Sequence, residues 1–148
     1  MTSIKPDTNS ESQIRALMNE RIRAAESKDV EKLLGGYGVD VVSFDVVDPL
    51  QYAGIDEIRA RMEQWFASFD GPIEIENREL MVTADANVAF CHSLSHVSGK
   101  RTAGGDLKMW WRETVCYRRI DGRWQITHQH SSVPFDAKTG KASLGLIP

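Results

Sequence analysis

The sequence predicts an α+β fold: a curved, mostly antiparallel sheet wrapped around three N-terminal helices, with a central pocket between the two layers. Three observations carry this. Apolar residues recur at helical spacing through most of the first half of the chain, up to Phe69. From Ile73 onward the pattern changes to four long strand-like runs separated by turn signals. The dipeptide Asp121-Gly122 between the last two runs is a strong hairpin signal. Helices and strands that are grouped rather than alternating imply helices packed over one face of an antiparallel sheet, a cone that leaves a pocket on the concave side.

The elements follow in order. Residues 1–9 read as a disordered tail, residues 10–136 as a single domain and residues 137–148 as a C-terminal tail. Ser10 with Gln13 resembles a capping box that opens a helix to about Ser27, with Ile14, Leu17, Met18, Ile22 and Ala25 as its apolar stripe. Arg21 falls inside that stripe and reads as a side chain snorkelling at its edge. Asp29 caps a short second helix that Gly35-Gly36 ends. Val41–Val47 is a β-rich run holding Asp45, and Asp48-Pro49 is a turn signal. Gly54 leads into the clearest helix, with Ile55, Ile58, Met62, Trp65, Phe66 and Phe69 on one side, and Asp70-Gly71-Pro72 stops it. The strands are then Ile73–Thr83, Val88–Ser98, Leu107–Ile120 and Arg123–Val133.

Composition narrows the function. At 148 residues the chain is long enough for one domain with a real core. A net charge of −3 and the lack of a dense Lys/Arg run exclude a nucleic-acid-binding face. The N-terminus has no apolar core, so neither a signal peptide nor a membrane span is expected there. Cys91 and Cys116 lie inside strands and read as reduced, buried thiols of a cytoplasmic protein.

The last strand, RWQITHQHSSV, organises the candidate site. Strict alternation puts Trp124, Ile126, His128 and His130 on one face, so a core stripe ends in two histidines. Each ring taken alone reads equally as a satisfied structural histidine. Their neighbours on Leu107–Ile120 depend on the hairpin. A two-residue turn pairs Ile120 with Arg123 and brings Trp111, Glu113, Val115 and Tyr117 to the histidine face. A three-residue loop with a glycine bulge brings Arg112, Thr114 and Cys116 there instead, and Gly122 favours it.

The segments FDVVDPLQYAGIDEIR, WWRETVCYRRIDGRW and ITHQHSSVPF resemble the nuclear transport factor 2-like superfamily, and within it the SnoaL-like, ketosteroid-isomerase-like proteins. The resemblance implies the cone fold and a scaffold that hosts isomerases, cyclases and dehydratases as well as non-catalytic modules. Asp45, nine residues before Gly54, matches the ketosteroid isomerase base. The oxyanion-binding tyrosine of that enzyme is matched by Arg21, and its protonated aspartate would fall near Thr114 or Val115, so the resemblance does not imply ketosteroid isomerase activity itself. One aspartate with several histidines is more similar to the scytalone-dehydratase-type branch, where an Asp–His pair performs acid–base chemistry.

The expected catalytic set is therefore Asp45, His128, His130 and Arg112, because histidine changes charge near neutral pH and an arginine fork can hold a carboxylate or enolate. Thr114, Trp111, Tyr52, His92 and Trp65 are the expected binding side chains. Arg112 reads equally as the partner of Asp45 or Glu113 in an ion pair, and His92, among Val88, Phe90, Leu94 and His96, equally suits a dimer partner. His-x-His with Asp45 could ligate a metal, but no Cys/His signature accompanies it, so neither metal nor cofactor is expected. The function expected is an isomerase, cyclase or dehydratase acting on a small, largely apolar carbonyl compound. The alternative is a ligand-binding or oligomerisation module on the same fold. A homodimer is expected, because either register leaves bulky residues on the outer sheet face: Trp110 in one, Trp111, Val115 and Tyr117 in the other.

Overall fold

The fold was obtained as a computed structural model, which describes residues 7–148. Asp7 opens helix α1 (Thr8–Glu26): its carboxylate accepts from the Ser10 backbone N–H, an orphan donor of the first turn. The start thus falls three residues before the expected capping box. Of the expected tail, residues 1–6 lie outside the described residues, and Asp7–Asn9 belong to the cap and first turn. Asp29 caps α2 (Val30–Leu34) and Gly35 ends it. Strand β1 (Tyr37–Phe44) and the two-residue β2 (Tyr52–Ala53) precede α3 (Ile55–Ala67). Phe69, expected as the last residue of the α3 stripe, instead begins β3 (Phe69–Ala84). The remaining strands are β4 (Val88–Arg101), β5 (Asp106–Ile120) and β6 (Arg123–Ser132).

The six strands form one curved, unclosed sheet in the order β2-β1-β6-β5-β4-β3, antiparallel throughout except for the parallel pair β1–β6. The helices cover its concave face. The core lies between them, built from Ile14 and Met18 of α1, Val41 of β1, Ile58 and Phe66 of α3, and Val97, Val115 and Ile126 of the long strands. Full burial of each such side chain contributes about 1.5–3 kcal/mol.

Edges are closed by side chains. Along the free edge of β3, Glu26 accepts from the Ile75 N–H at 3.0 Å, and Arg15 and Lys28 donate to the Leu80 and Phe69 carbonyls. Helix α1 and the residues flanking it thereby satisfy groups that would otherwise template pairing with another strand. Near the start of β3 the backbone of β4 approaches so closely that a Cβ on Gly99 would lie 2.7 Å from the buried Phe69 ring.

Two irregularities decide which side chains face the core. Asp121 and Gly122 both have positive φ, 52° and 77°, and Ile120 pairs directly with Arg123. The hairpin is therefore the two-residue turn, whose twist matches that of the strands, and the favoured three-residue loop is corrected. A bulge does exist, but in mid-strand: Tyr117 pairs with Ile126 and Cys116 with His128, leaving Thr127 as an extra residue on β6. That residue reverses the alternation. Before it Trp124 and Ile126 are buried; after it Gln129 is buried and His130 is exposed.

Beyond β6 the chain turns back on itself. Phe135 bridges Ala142, and the Asp136 carboxylate accepts from the backbone N–H groups of Lys138 and Thr139. Residues 138–142, expected as loose tail, thus form a closed turn.

Candidate functional site

A cavity of about 150 Å³ opens between the helices and the concave sheet face. Its walls are mostly apolar: Met18 and Ile22 of α1, Met62 and Trp65 of α3, and Ile75, Val97, Met109 and Trp111 of the sheet. Two arginine–carboxylate pairs interrupt them.

The first pair is built around Glu113. Its inward position on β5 follows from the two-residue hairpin, and its side chain is only 4% exposed. It forms an ion pair with Arg21 and accepts further hydrogen bonds from Ser95 Oγ at 3.2 Å and Trp111 Nε1 at 3.3 Å. Arg21 also donates to Gln129 Oε1 at 2.9 Å and to the Tyr37 hydroxyl at 3.1 Å. Tyr37 in turn donates to Gln129 Oε1, and Gln129 Nε2 to Ser43 Oγ. Burial works against the Arg21 charge, but Glu113 and Tyr37 outweigh it and hold the guanidinium protonated well above its ordinary range. The Arg21 stripe position is thus not a snorkelling edge; the side chain turns inward because Glu113 and Gln129 wait there.

The second pair lies one residue beyond the end of β1. Asp45 accepts from Arg61 Nε at 2.8 Å and from the Val46 backbone N–H at 2.6 Å, and the two side chains are 17% and 14% exposed. Register relates the pairs. Ser43 lies opposite Gln129 and Glu113 opposite Ser131, so Asp45, two residues on from Ser43, continues the line of β1 toward the row that Ser131 and Glu113 form across β6 and β5. Two strand spacings put the carboxylate-bearing backbones about 10 Å apart, with Ser131 between them.

The carboxylates differ in what remains to them. Glu113 is committed to three donors. Asp45 keeps a lone pair on each oxygen, and among the described residues Arg61 Nη1 and Nη2 have no protein acceptor. A carboxylate beside an open, charged fork can take a proton and stabilise the negative charge that the transfer creates.

Of the sequence-predicted residues, Asp45, Trp65 and Trp111 line this cavity. Tyr52 stands outside it, its hydroxyl donating to the Asp48 carbonyl. The expectation that His128, His130, Arg112 and Thr114 share a pocket with Asp45 is corrected. The four do assemble, with Cys116 opposite His128, Thr114 opposite His130 and Arg112 opposite Ser132, but on the convex face, and His92 continues that row opposite Thr114. The expected neighbours are real because the bulge offsets the hairpin by the same single residue; the face is wrong because the bulge lies beyond the core stripe. There, His128 and His130 pack edge-on to Phe44, with ring centroids 4.7 and 5.3 Å away. His128 Nδ1 lies 2.7 Å from the Val42 carbonyl, which assigns its proton to that nitrogen. Arg112 donates to Ser132 rather than to a carboxylate.

Among the described residues, no three His, Cys, Asp or Glu side chains converge as a metal site would need, and no helix is long and apolar enough to cross a membrane. Cys91 faces inward and Cys116 outward, on opposite sides of the sheet.

Comparison with known proteins decides the family. The model of the SnoaL-like domain matches residues 14–136. The chain belongs to the SnoaL-like family. This SnoaL-like chain is similar over 97% of its length, at 32% identity and a TM-score of 0.89, to all of an NTF2-like protein of unknown function from Pseudomonas putida KT2440. A ketosteroid isomerase-like protein from Erwinia carotovora atroseptica shares the fold at 21% identity and a TM-score of 0.71, over 82% of this chain and 94% of the other. So does the association domain of C. elegans CaMKII, at 16% identity and a TM-score of 0.66, over 85% and 97%. No protein of curated function matches the chain.

The polar cavity residues of the SnoaL-like chain that sequence reasoning missed are Arg61, Gln129, Ser131, the Arg21–Glu113 pair, and Tyr37, Ser43, Asn77 and Ser95 around them. A signal for the pair was present: an arginine inside an apolar helical stripe and a glutamate at an inward position of one open register call for each other, since neither charge is buried alone. Arg61, on the polar side of the α3 pattern, carried no such signal.

Proposed function

We propose that this cavity is the active site of an acid–base enzyme acting on a small, largely apolar carbonyl compound, with Asp45 as the base and Arg61 as the group that receives the developing charge. The observation that carries the reading is the open Asp45–Arg61 pair in a mostly apolar cavity whose other charged pair is already committed. Asp45 would take the proton from the carbon next to the carbonyl, and the C–H electron pair would move onto the carbonyl oxygen. The resulting enolate oxygen accepts from the Arg61 fork, a charge-assisted bond formed only as the charge appears. Where a carbon–carbon double bond is conjugated with the enolate, return of the proton to its far carbon shifts that double bond and re-forms the carbonyl, which gives an isomer. Where the adjacent carbon bears a hydroxyl, the electron pair re-forms a double bond as that hydroxyl takes the proton and leaves as water, which is dehydration. Arg21, Glu113 and Gln129 hold the wall behind the substrate.

The test is deuterium incorporation next to the carbonyl of a simple cyclic ketone in D2O, followed by NMR. Wild-type protein should accelerate exchange over buffer, and Asp45→Asn should lose at least ten-fold, the scale of one acid–base group. Wild-type exchange equal to buffer would leave a non-catalytic binding module as the better reading.

A homodimer through the convex face is the proposed assembly. Met81 and Phe90 are exposed there, and Trp110 lies under the Arg78 guanidinium at 4.8 Å and beside the His96 ring. Light scattering that gives a monomer at micromolar concentration would remove it. Two free thiols suit a cytoplasmic setting, the one proposed here.

A further inference from the structure

The cavity's size, its charge balance and its open arginine fork together define what fits it. An apolar cavity of about 150 Å³ is the size that holds a benzene ring, whereas sites for larger ligands run from about 300 to 1,000 Å³. The cavity here has that smaller volume. The second quantity is charge. Arg21 pairs with Glu113 and Arg61 with Asp45, so the lining is electrically balanced without a ligand. A carboxylate placed inside would bring a third negative charge into the cavity that already holds Asp45 and Glu113, with no cation of its own. A cation would stand equally unpaired beside Arg21 and Arg61. Burying an uncompensated charge is strongly unfavourable, so a neutral occupant is favoured over either. The third quantity is the distribution of open donors. The Arg61 Nη1 and Nη2 groups call for one acceptor oxygen. Trp65, Trp111, Met18, Met62 and Met109 offer flat rings and polarisable sulfur to the rest.

We propose that the occupant is a neutral, single-ring carbonyl compound of the cyclohexenone type. Its oxygen sits on the Arg61 fork and its ring among the tryptophans and methionines. The inference rests on the reading of this cavity as the ligand site and sharpens it, since it excludes fused polycyclic compounds and ring carboxylates from the cavity as it stands. Met109, half-buried on β5 at the cavity wall, is then a side chain whose truncation would admit a larger ring.

The experiment is a titration of the 15N-labelled full chain with cyclohex-2-enone, benzoate and 1-decalone, read from the tryptophan indole N–H shifts. Cyclohex-2-enone should bind at least ten-fold more tightly than benzoate, which tests charge, and than 1-decalone, which tests size. Arg61→Gln should weaken cyclohex-2-enone at least ten-fold. Met109→Ala, which opens the wall, should raise 1-decalone to within about three-fold of cyclohex-2-enone, and it decides the size claim even where Arg61→Gln does not fold. Benzoate or 1-decalone binding the wild type as well as cyclohex-2-enone would overturn the proposal, as would absence of shifts with all three. The two claims fail separately. Binding in the stated order without deuterium exchange removes the catalytic reading and keeps the ligand class. Exchange on 1-decalone that matches exchange on cyclohex-2-enone does the reverse.

Discussion

The two faces of the β5–β6 pair hold similar inventories of polar side chains and treat them differently. On the concave face, Glu113, Gln129 and Ser131 lie beneath the helices, where each polar atom needs a partner. There Arg21, Tyr37, Ser95 and Trp111 supply the partners of Glu113 and Gln129. On the convex face, Arg112, Thr114, His128 and His130 form the row that looks more like an active site on paper, yet their contacts are with Phe44, Ser132 and a backbone carbonyl. Residue chemistry alone does not make a site. What separates the faces is enclosure: the same types of charge, removed from water, are forced into a specific network and can act on a ligand in low dielectric.

The strongest test of this contrast is to remove one partner from the enclosed face. Glu113→Leu leaves Arg21 buried and unpaired, at a cost of about 3–5 kcal/mol. Thermal unfolding should fall by roughly 10 °C or more on a domain of this size. Adding Arg21→Met should recover most of that loss, whereas Arg112→Met on the other face should shift the midpoint by less than about 2 °C. A double variant no more stable than Glu113→Leu alone would mean that the pair is not the unit described.

A middle-sized effect probes the bulge. Because Thr127 is the extra residue, deleting it should regularise β6 and keep Gln129 inward and His130 outward, with a loss of at most about 2 kcal/mol. Were the strand regular, the same deletion would turn every later residue to the opposite face, moving both histidines off the core face and Gln129 onto it. A folded deletion variant, seen as a retained cooperative melt, supports the bulge; an unfolded one contradicts it.

The smallest effects come from groups that the enclosed face leaves without partners. The Tyr117 hydroxyl is buried with no hydrogen-bond partner among the described residues, and burial pushes its ionisation up. Tyr117→Phe should therefore stabilise, by about 1 kcal/mol. Burial likewise pushes the Cys91 thiol up to about 12 from an ordinary 9.0. Below pH 9 folded and unfolded chains both keep that proton, and this contribution to stability is fully present. As pH rises from 9 towards 12 the unfolded chain releases the proton while the folded one holds it, so stability falls. Cys91→Ala should flatten that alkaline decline in a series of melts, and an unchanged decline would assign it to other groups.

How much of this was legible in the residues follows from locality. Helix stripes, the Asp29 cap, the strand runs and the presence of a hairpin at Asp121-Gly122 are short-range features, written within a few positions of one another, whereas the length of that turn was not among them. The SnoaL-like fold follows from them. The site was not legible in the same way, because its decisive feature is one inserted residue. Thr127 has nothing in its own chemistry that marks a bulge, and Trp124, Ile126, His128 and His130 continue a flawless alternation through it. Asp45 is marked by its resemblance to the ketosteroid isomerase base, and its position just beyond β1 does not depend on β6. Gln129 was passed over because alternation assigned it to the other face.

The central claim is that the enclosed face acts and the exposed row does not, and one paired measurement addresses it. Deuterium exchange into cyclohex-2-enone, followed by NMR, should be compared for Asp45→Asn and for the double variant His128→Asn/His130→Asn, with folding checked by thermal melts. The account predicts at least a ten-fold loss of exchange in Asp45→Asn and a rate within two-fold of wild type in the histidine variant. Exchange that survives in Asp45→Asn and disappears with the histidines would contradict it.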